Sequence, residues 1–222
     1  MPGYAGFDIS DYPGAAQMDW LKNNSNLTWC GFYLGSAPSH PSASWMNARA
    51  DLAKQGWGFA PIYVGQQVTG PGSHNVNLAQ GTQDAANALK LMQQAGFSQG
   101  NCVYLDLENG LPFSQDQQDY VAGWIDGVIA GQFQPGVYCS WTFAGQVHLL
   151  RSQPRIWVFR VSTTTPHPVP GPNYPDPHPA ASGYAGAYGW QLGMECRISS
   201  PGAPNGILQV DLDSAVSPDP SK

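Results

Sequence analysis

Val103-Tyr104-Leu105-Asp106-Leu107-Glu108-Asn109 is an apolar strand that runs out into acid. In an extended chain alternate side chains share a face, so Asp106 and Glu108, at i and i+2, look the same way. Two carboxylates at the end of a buried strand are costly to fold around, which marks them as groups the chain uses. The pattern recurs. Ala5-Gly6-Phe7-Asp8-Ile9-Ser10 delivers Asp8, and Gln209-Val210-Asp211-Leu212-Asp213 delivers Asp211 and Asp213. Strand-borne acids in a chain with only 15 Asp and Glu point to one acidic site that works on a polar, uncharged substrate.

Short apolar runs like these alternate with helical patterns from end to end. Strands are expected at 4–10, 28–35, 58–65, 101–108, 135–141, 155–161, 187–193 and 208–213. Several are nearly continuous in apolar residues, as fully buried parallel strands are. Between them Ala85, Ala88, Leu89 and Met92 follow i, i+3, i+4, i+7, and Tyr120, Val121, Trp124, Ile125, Val128 and Ile129 form a broad apolar stripe. Further helices are expected at 17–24, 44–55 and 142–152. Strand–helix alternation implies an α/β fold with a parallel sheet and right-handed crossovers. Eight strands favour a closed (β/α)8, TIM-like barrel in a single domain over residues 1–216. The alternative, an open doubly wound sheet, usually carries a glycine-rich phosphate loop, and no GxGxxG or GxxxxGK[ST] follows a strand here.

In such a barrel the strand C-terminal ends face the active side. Asp8 lies near the end of strand one, Asp106 and Glu108 at the end of strand four, and Asp211 and Asp213 at the end of strand eight. Strands one and eight are neighbours by closure and strand four faces them, so the acids converge. Two segments break the rhythm. Residues 162–187 hold Pro166, Pro168, Pro170, Pro172, Pro175, Pro177 and Pro179, and read as a stiff loop after strand six, either a wall of the groove or an idle excursion. Residues 217–222 read as a flexible tail.

The 222-residue chain is 42% hydrophobic, enough for a core, but only 11% charged, against about 25% in an average soluble domain. A net charge of −6 argues against nucleic acid and against anionic membrane surfaces. No stretch approaches the ~20 apolar residues of a membrane span. The opening Met-Pro-Gly-Tyr-Ala-Gly-Phe-Asp shows no basic n-region and no apolar h-region, so the chain is cytoplasmic, leaves by another route, or has lost a leader. The 8 tryptophans and 10 tyrosines, mostly core, also suit sugars, whose C–H faces stack on rings. Cys30, Cys102, Cys139 and Cys196 show no CxxC spacing, and four cysteines allow three pairings. His40, His74, His148, His167 and His178 show no HxH or HxxxH spacing and read as loop or surface residues. No metal and no cofactor is expected, and Gly70-Pro-Gly-Ser-His-Asn75 reads as a turn-rich loop.

Clustered carboxylates repel, and burial disfavours ionisation; both raise the pKa of at least one member. A carboxylic acid that keeps its proton near neutrality can hand it to a leaving oxygen, as glycoside hydrolysis requires. Glu108 is the better acid candidate, being longer and nearer the mouth. Asp106 lies roughly 6.6 Å deeper along the strand, placed to hold or polarise a neighbouring group.

The order Gly6-Phe7-Asp8-Ile9-Ser10, Tyr104-Leu105-Asp106-Leu107-Glu108, Gly189-Trp190-Gln191 and Val210-Asp211-Leu212-Asp213 resembles the family 25 glycoside hydrolases, the Chalaropsis-type muramidases. The opening Gly-Phe-Asp-Ile-Ser-Asp-Tyr-Pro is similar, more closely, to a related bacterial glycoside-hydrolase-like family found in exported proteins. The resemblance implies Glu108 as catalytic acid, with Asp106, Asp8 and Asp211 completing the acidic site. It implies a stacking floor from Trp190, an amide contact from Gln191, and substrate contacts from Tyr63 and Tyr138. Asp213, counted with the substrate-binding residues, stands where the muramidases usually have asparagine. The expected function is hydrolysis of a β-linked N-acetylated aminosugar polymer such as peptidoglycan, by a monomer at the cell wall or outside the cell. Two rivals remain at this stage: a glycan-binding barrel without turnover, and a metal-dependent phosphoesterase using the same aspartates as oxygen ligands.

Overall fold

Strands whose two faces are both covered must be apolar along their whole length, and the inner ring of this protein is built that way. The computed structural model describes residues 2–109, 112–163 and 171–222. Eight strands follow one another around a closed barrel: β1 (Tyr4–Asp8), β2 (Trp29–Tyr33), β3 (Gly58–Tyr63), β4 (Cys102–Asp106), β5 (Gln134–Ser140), β6 (Arg155–Thr163), β7 (Ala187–Ser199) and β8 (Ile207–Ala215). Every residue of β3 and β4 is buried. Helices α1 (Ala15–Asn24), α2 (Arg49–Lys54), α3 (Leu78–Gln94), α4 (Gln115–Ala130) and α5 (Ala144–Leu150) link the strands as far as β6. The fold is a single-domain, TIM-like α/β barrel, as the alternation implied.

The sheet is not wholly parallel. Pairs from β1–β2 through β6–β7 are parallel, but β8 runs antiparallel to both β7 and β1. The physical reason is the short turn between Ser199 and Ile207, too short for a crossover, which needs a dozen residues or more. Reversal also lengthens the strands into a hairpin that rises above the barrel.

The helices use the apolar positions read from the sequence. Ala85, Ala88, Leu89 and Met92 of α3 are buried, as are Tyr120, Val121, Trp124, Ile125 and Val128 of α4; Ile129 falls at the edge of its stripe and is exposed. Asn77 caps α3, and Ser114 with Gln117 forms a capping box at the start of α4. The helix expected over 44–55 is confined to α2.

The core has two layers. Inside the ring Trp29 and Tyr104 each meet Trp157 edge-on, with centroids 5.5 and 5.6 Å apart. Gly6 and Gly136 make room, since a Cβ at either would collide with the Trp29 or Tyr104 ring. Outside the ring, strand residues such as Phe7, Phe32, Phe59, Val103 and Leu105 pack under the helices.

Residues 217–222 are not a loose end. Ser221 O accepts from Cys102 N (2.7 Å), Pro220 O from Arg155 Nη1 (3.0 Å), and Asp219 Oδ1 from Phe59 N (3.1 Å). The segment closes the barrel at the strand-start end, where it gives acceptors to the backbone N–H groups of Phe59 and Cys102 and to the Arg155 side chain. Of the proline-rich stretch, 164–170, with Pro166, His167, Pro168 and Pro170, lies outside the described residues. The part from 171 onward docks away from the acids: Pro172 O accepts from Asn26 N (3.0 Å) and Asp176 O from Gly3 N (2.7 Å), at the starts of β2 and β1. A 3-10 turn, Pro179–Ser182, leads into β7. All four cysteines are free and buried, and among the described residues no helix is long and apolar enough to cross a membrane.

Candidate active site

Strand register places the acids. Asp8 is the last residue of β1 and pairs directly with Asp211 of β8. Because β8 runs downward, Asp213 lies below Asp211, level with Gly6 and Gln191. Asp106 is the last residue of β4, and Glu108, two residues beyond, emerges exposed at the mouth. Asp8, Asp106, Glu108 and Asp211 line one small central cavity of about 40 Å³ with Tyr33, Ile62, Tyr138 and Trp157.

Among the described residues no Lys, Arg or His pairs with these acids. The ion pairs among the described residues, Lys54–Asp51, Arg151–Asp126 and Lys222–Asp219, lie elsewhere. Burial pushes Asp8 up to about 6, against the pull of hydrogen bonds with Tyr33 and Asp213; the Tyr33 hydroxyl donates to Asp8 Oδ1 at 2.6 Å. Burial and the Asp8 charge push Asp211 up to about 7, although Glu195 N donates to its Oδ1 at 2.6 Å. Asp106 is held well above the carboxylate range by burial and by the charges of Glu108, Asp8 and Asp211. Burial and Asp8 do the same to Asp213. Among the described residues Asp213 Oδ2 meets no N–H donor, and its neighbour is the Asp8 carboxyl group. The two form a hydrogen bond only when one of them carries a proton, and burial together with the Asp8 charge favours keeping it on Asp213. Four aspartates therefore share protons around neutrality, in a space reached from the mouth past Glu108.

Several contacts fix the geometry. Gln67 Nε2 donates to Asp106 O (2.8 Å), and Gln67 Oε1 accepts from Glu108 N (3.3 Å), clamping the backbone that carries both acids. The preceding residue anchors this clamp in the helix layer: Gln66 N donates to Tyr120 Oη (2.9 Å), which donates to Asp84 (2.7 Å), and Gln66 Nε2 also reaches Asp84 (3.2 Å). Opposite, Tyr138 donates to Gln191 Oε1 and Gln191 Nε2 donates to Asp211. The cavity opens on both sides. One arm runs under the β7–β8 hairpin past Ser10, Glu195 and Gln209. The other runs under the loops after β2 and β3, past Ser39, His40, Gln67, Gly70 and Pro71.

The structure thus brings together Asp8, Asp106, Glu108, Asp211, Tyr138 and Gln191, and sets three expected residues apart. Trp190 neighbours Gln191 on one strand and must face the other way; its Nε1 donates to Arg160 O (3.0 Å) outside the ring. Tyr63 also faces outward, stacking on Trp124 at 5.3 Å and taking a hydrogen bond from Asn87 (3.0 Å). Asp213 has no exposed surface and lies beneath the cavity, accepting from Trp157 Nε1 (3.1 Å), so substrate does not touch it. His40, expected as a loop or surface residue, lies in the loop after β2, where it is 8% exposed and lines the cleft. Tyr33, Trp157, Gln67 and Glu195 were not anticipated. Strand parity from Trp29 and Gly31 would have found Tyr33. Gln67 and Glu195 lie beyond a strand end and at a bulge, where parity gives no guide. Among the described residues, no three His, Cys, Asp or Glu side chains are set out to hold a metal ion.

Similar folds occur among solved structures. An uncharacterised B. stearothermophilus protein superposes with a TM-score of 0.68 at 18% identity, over 96% of both chains. The Mycobacterium tuberculosis Tat-secreted protein Rv2525c, crystallised with L-tartrate, gives 0.63 at 14% identity, over 98% of this chain and 97% of that one. The Clostridium perfringens spore cortex lytic enzyme SleM gives 0.62 at 13% identity, over 96% of this chain and 67% of that one. At such identities the likeness is one of fold. No curated protein sequence matches. The family model for the Rv2525c-like, glycoside hydrolase-like domain matches residues 19–189, well over half of the chain, and the chain belongs to that family.

Proposed function

We propose that this protein hydrolyses a β-linked N-acetylated aminosugar polymer of the peptidoglycan kind, with Glu108 as general acid. One observation carries the reading: an exposed glutamate stands at the mouth of a cavity lined by three aspartates, with a fourth buried beneath it, whose surroundings push all four to hold protons well above the ordinary aspartate range, with none of the four in an ion pair among the described residues. Glu108 gives its proton to the glycosidic oxygen. The bond to the anomeric carbon breaks with its electron pair going to that oxygen, and an oxocarbenium-like centre forms; a water later adds its hydroxyl to that carbon and returns a proton to the Glu108 carboxylate.

The contacts favour the substrate's own acetamido group as the partner of that centre. Asp211 is engaged by Gln191 and by Glu195 N, and burial pushes it up to about 7, so it is a poor nucleophile. Asp106 lines the cavity with an Oδ1 that has no partner among the described residues. Ionised or protonated, it keeps an acceptor oxygen for an acetamido N–H. Tyr33 and Tyr138, both half-buried, line the same cavity.

Three structural neighbours lend support through what they are. SleM is a spore cortex lytic enzyme. LytC of Streptococcus pneumoniae, an autolysin, and the Cpl-1 endolysin were crystallised with a peptidoglycan ligand and a peptidoglycan analogue; this chain spans 46% of LytC and 54% of Cpl-1. Rv2525c is Tat-secreted, which supports action outside the cell.

Incubation with purified cell-wall glycan and mass analysis of the products tests the proposal. The wild type should release fragments with new reducing ends, and Glu108→Gln should release none while still sedimenting with the glycan. Sedimentation without fragments from the wild type would make the protein a glycan binder, and undiminished release by Glu108→Gln would remove Glu108 from the mechanism.

A further inference from the structure

The arm of the cleft under the loops after β2 and β3 has a chemistry of its own. It is a cavity of about 220 Å³ that joins the acids at Asp106 and Glu108. Beyond them its lining is neutral. Two adjacent residues there are polar and unserved: Ser39 Oγ and His40 Nε2 are both buried, and neither has a hydrogen-bond partner among the described residues. Buried polar groups normally find partners, so two neighbouring orphans in one open cavity call for a ligand that supplies them.

The surroundings narrow that ligand. The His40 ring lies against Tyr33, with centroids 5.1 Å apart. Burial holds its pKa below the ordinary histidine value, against the charge of Asp11. A neutral imidazole offers one donor and one acceptor nitrogen, and a serine hydroxyl offers both roles. Val64 and Pro71 supply apolar wall in the same cavity. A group with an N–H, a carbonyl and a methyl fits such a lining; a carboxylate finds no lysine or arginine in it, and a bare hydroxyl leaves the apolar wall unfilled.

We propose that Ser39 and His40 form a specificity subsite that reads the acetamido group of the sugar next to the scissile bond, on the β2–β3 side of Glu108. It is separate from the acetamido group at the reacting ring, which falls to Asp106. The inference rests on the glycan reading of the cleft.

Calorimetric titration in the Glu108→Gln background, where oligomers stay intact, tests it. The probes are a β-linked N-acetylglucosamine tetramer and a β-linked glucose tetramer, which differs in lacking the acetamido groups. The acetylated tetramer should bind at least tenfold more tightly. Adding Ser39→Ala or His40→Leu should remove most of that preference and leave glucose-tetramer affinity unchanged. In the single Glu108→Gln protein, the His40 imidazole nitrogen resonances should move with the acetylated tetramer and not with the other, a readout that needs no second substitution. Preference retained in both double variants, or stationary His40 resonances, would overturn the subsite. Equal binding of the two tetramers would also overturn it and leave the glycan reading standing, whereas binding of neither would bring down both.

Discussion

Asp213 shows how a single residue is tuned by its neighbours. It has no exposed surface, accepts from Trp157, and serves Asp8 only as a protonated donor. Asparagine, the usual residue here in the muramidases that the sequence resembles, presents the same arrangement without a proton: an amide oxygen for Trp157 and an N–H for Asp8. Linkage gives the consequence its sign. Asp213 holds its proton in the folded state but ionises near the ordinary value, ~3.9, when unfolded. The unfolded state therefore binds fewer protons above that value, and stability from this group falls as pH rises, by about 1.4 kcal/mol per pH unit until the folded group itself ionises. Asp213→Asn should remove this slope. Its melting temperature should exceed that of the wild type at pH 8 by more than at pH 5, with each kcal/mol worth about 2–4 °C; equal pH slopes by calorimetry would refute the assignment. At this scale the acids were legible in the sequence, because i, i+2 spacing on an apolar strand fixes a common face. Trp190 and Tyr63 were placed by resemblance, and parity decided against them: Gln191 and Ile62, their neighbours, hold the inward positions.

The β7–β8 hairpin is the element on which the site departs most from a regular barrel. Its antiparallel return puts Asp211 opposite Asp8 and sinks Asp213 beneath them. A bulge between Gly193 and Cys196 lets the backbone N–H of Glu195 turn onto Asp211, and Glu195 adopts a left-handed φ of 52° to do so. That conformation costs a side-chain-bearing residue roughly 1–2 kcal/mol, and glycine almost nothing. Glu195→Gly should therefore raise the melting temperature by a few degrees while keeping the N–H on Asp211, and a lowered melting temperature would contradict the account of the bulge. The sequence carried a sign of the hairpin, since 194–207 contains no helical pattern for a crossover. It carried no sign of the docking of 217–222 or 171–178, where many contacts run to backbone carbonyls that any residue could supply, and where the side chains that also take part, Asp219, Arg155 and Asn26, stand in no recognisable pattern.

At the scale of the whole molecule, closure of the ring is what turns scattered acids into a cluster. Acids as far apart in the chain as Asp8 and Asp213 meet because β1 and β8 are neighbours, and Asp106 joins them across the mouth. The net charge of −6 and a cleft with no lysine or arginine in its lining turn away anions and favour neutral chains. The account depends on those aspartates keeping protons that an exposed aspartate gives up near ~3.9. Carbon-13 carboxyl titration followed by NMR measures this directly: Asp8 should titrate at about 6 and Asp211 at about 7. Midpoints near the ordinary aspartate value for both would contradict the account.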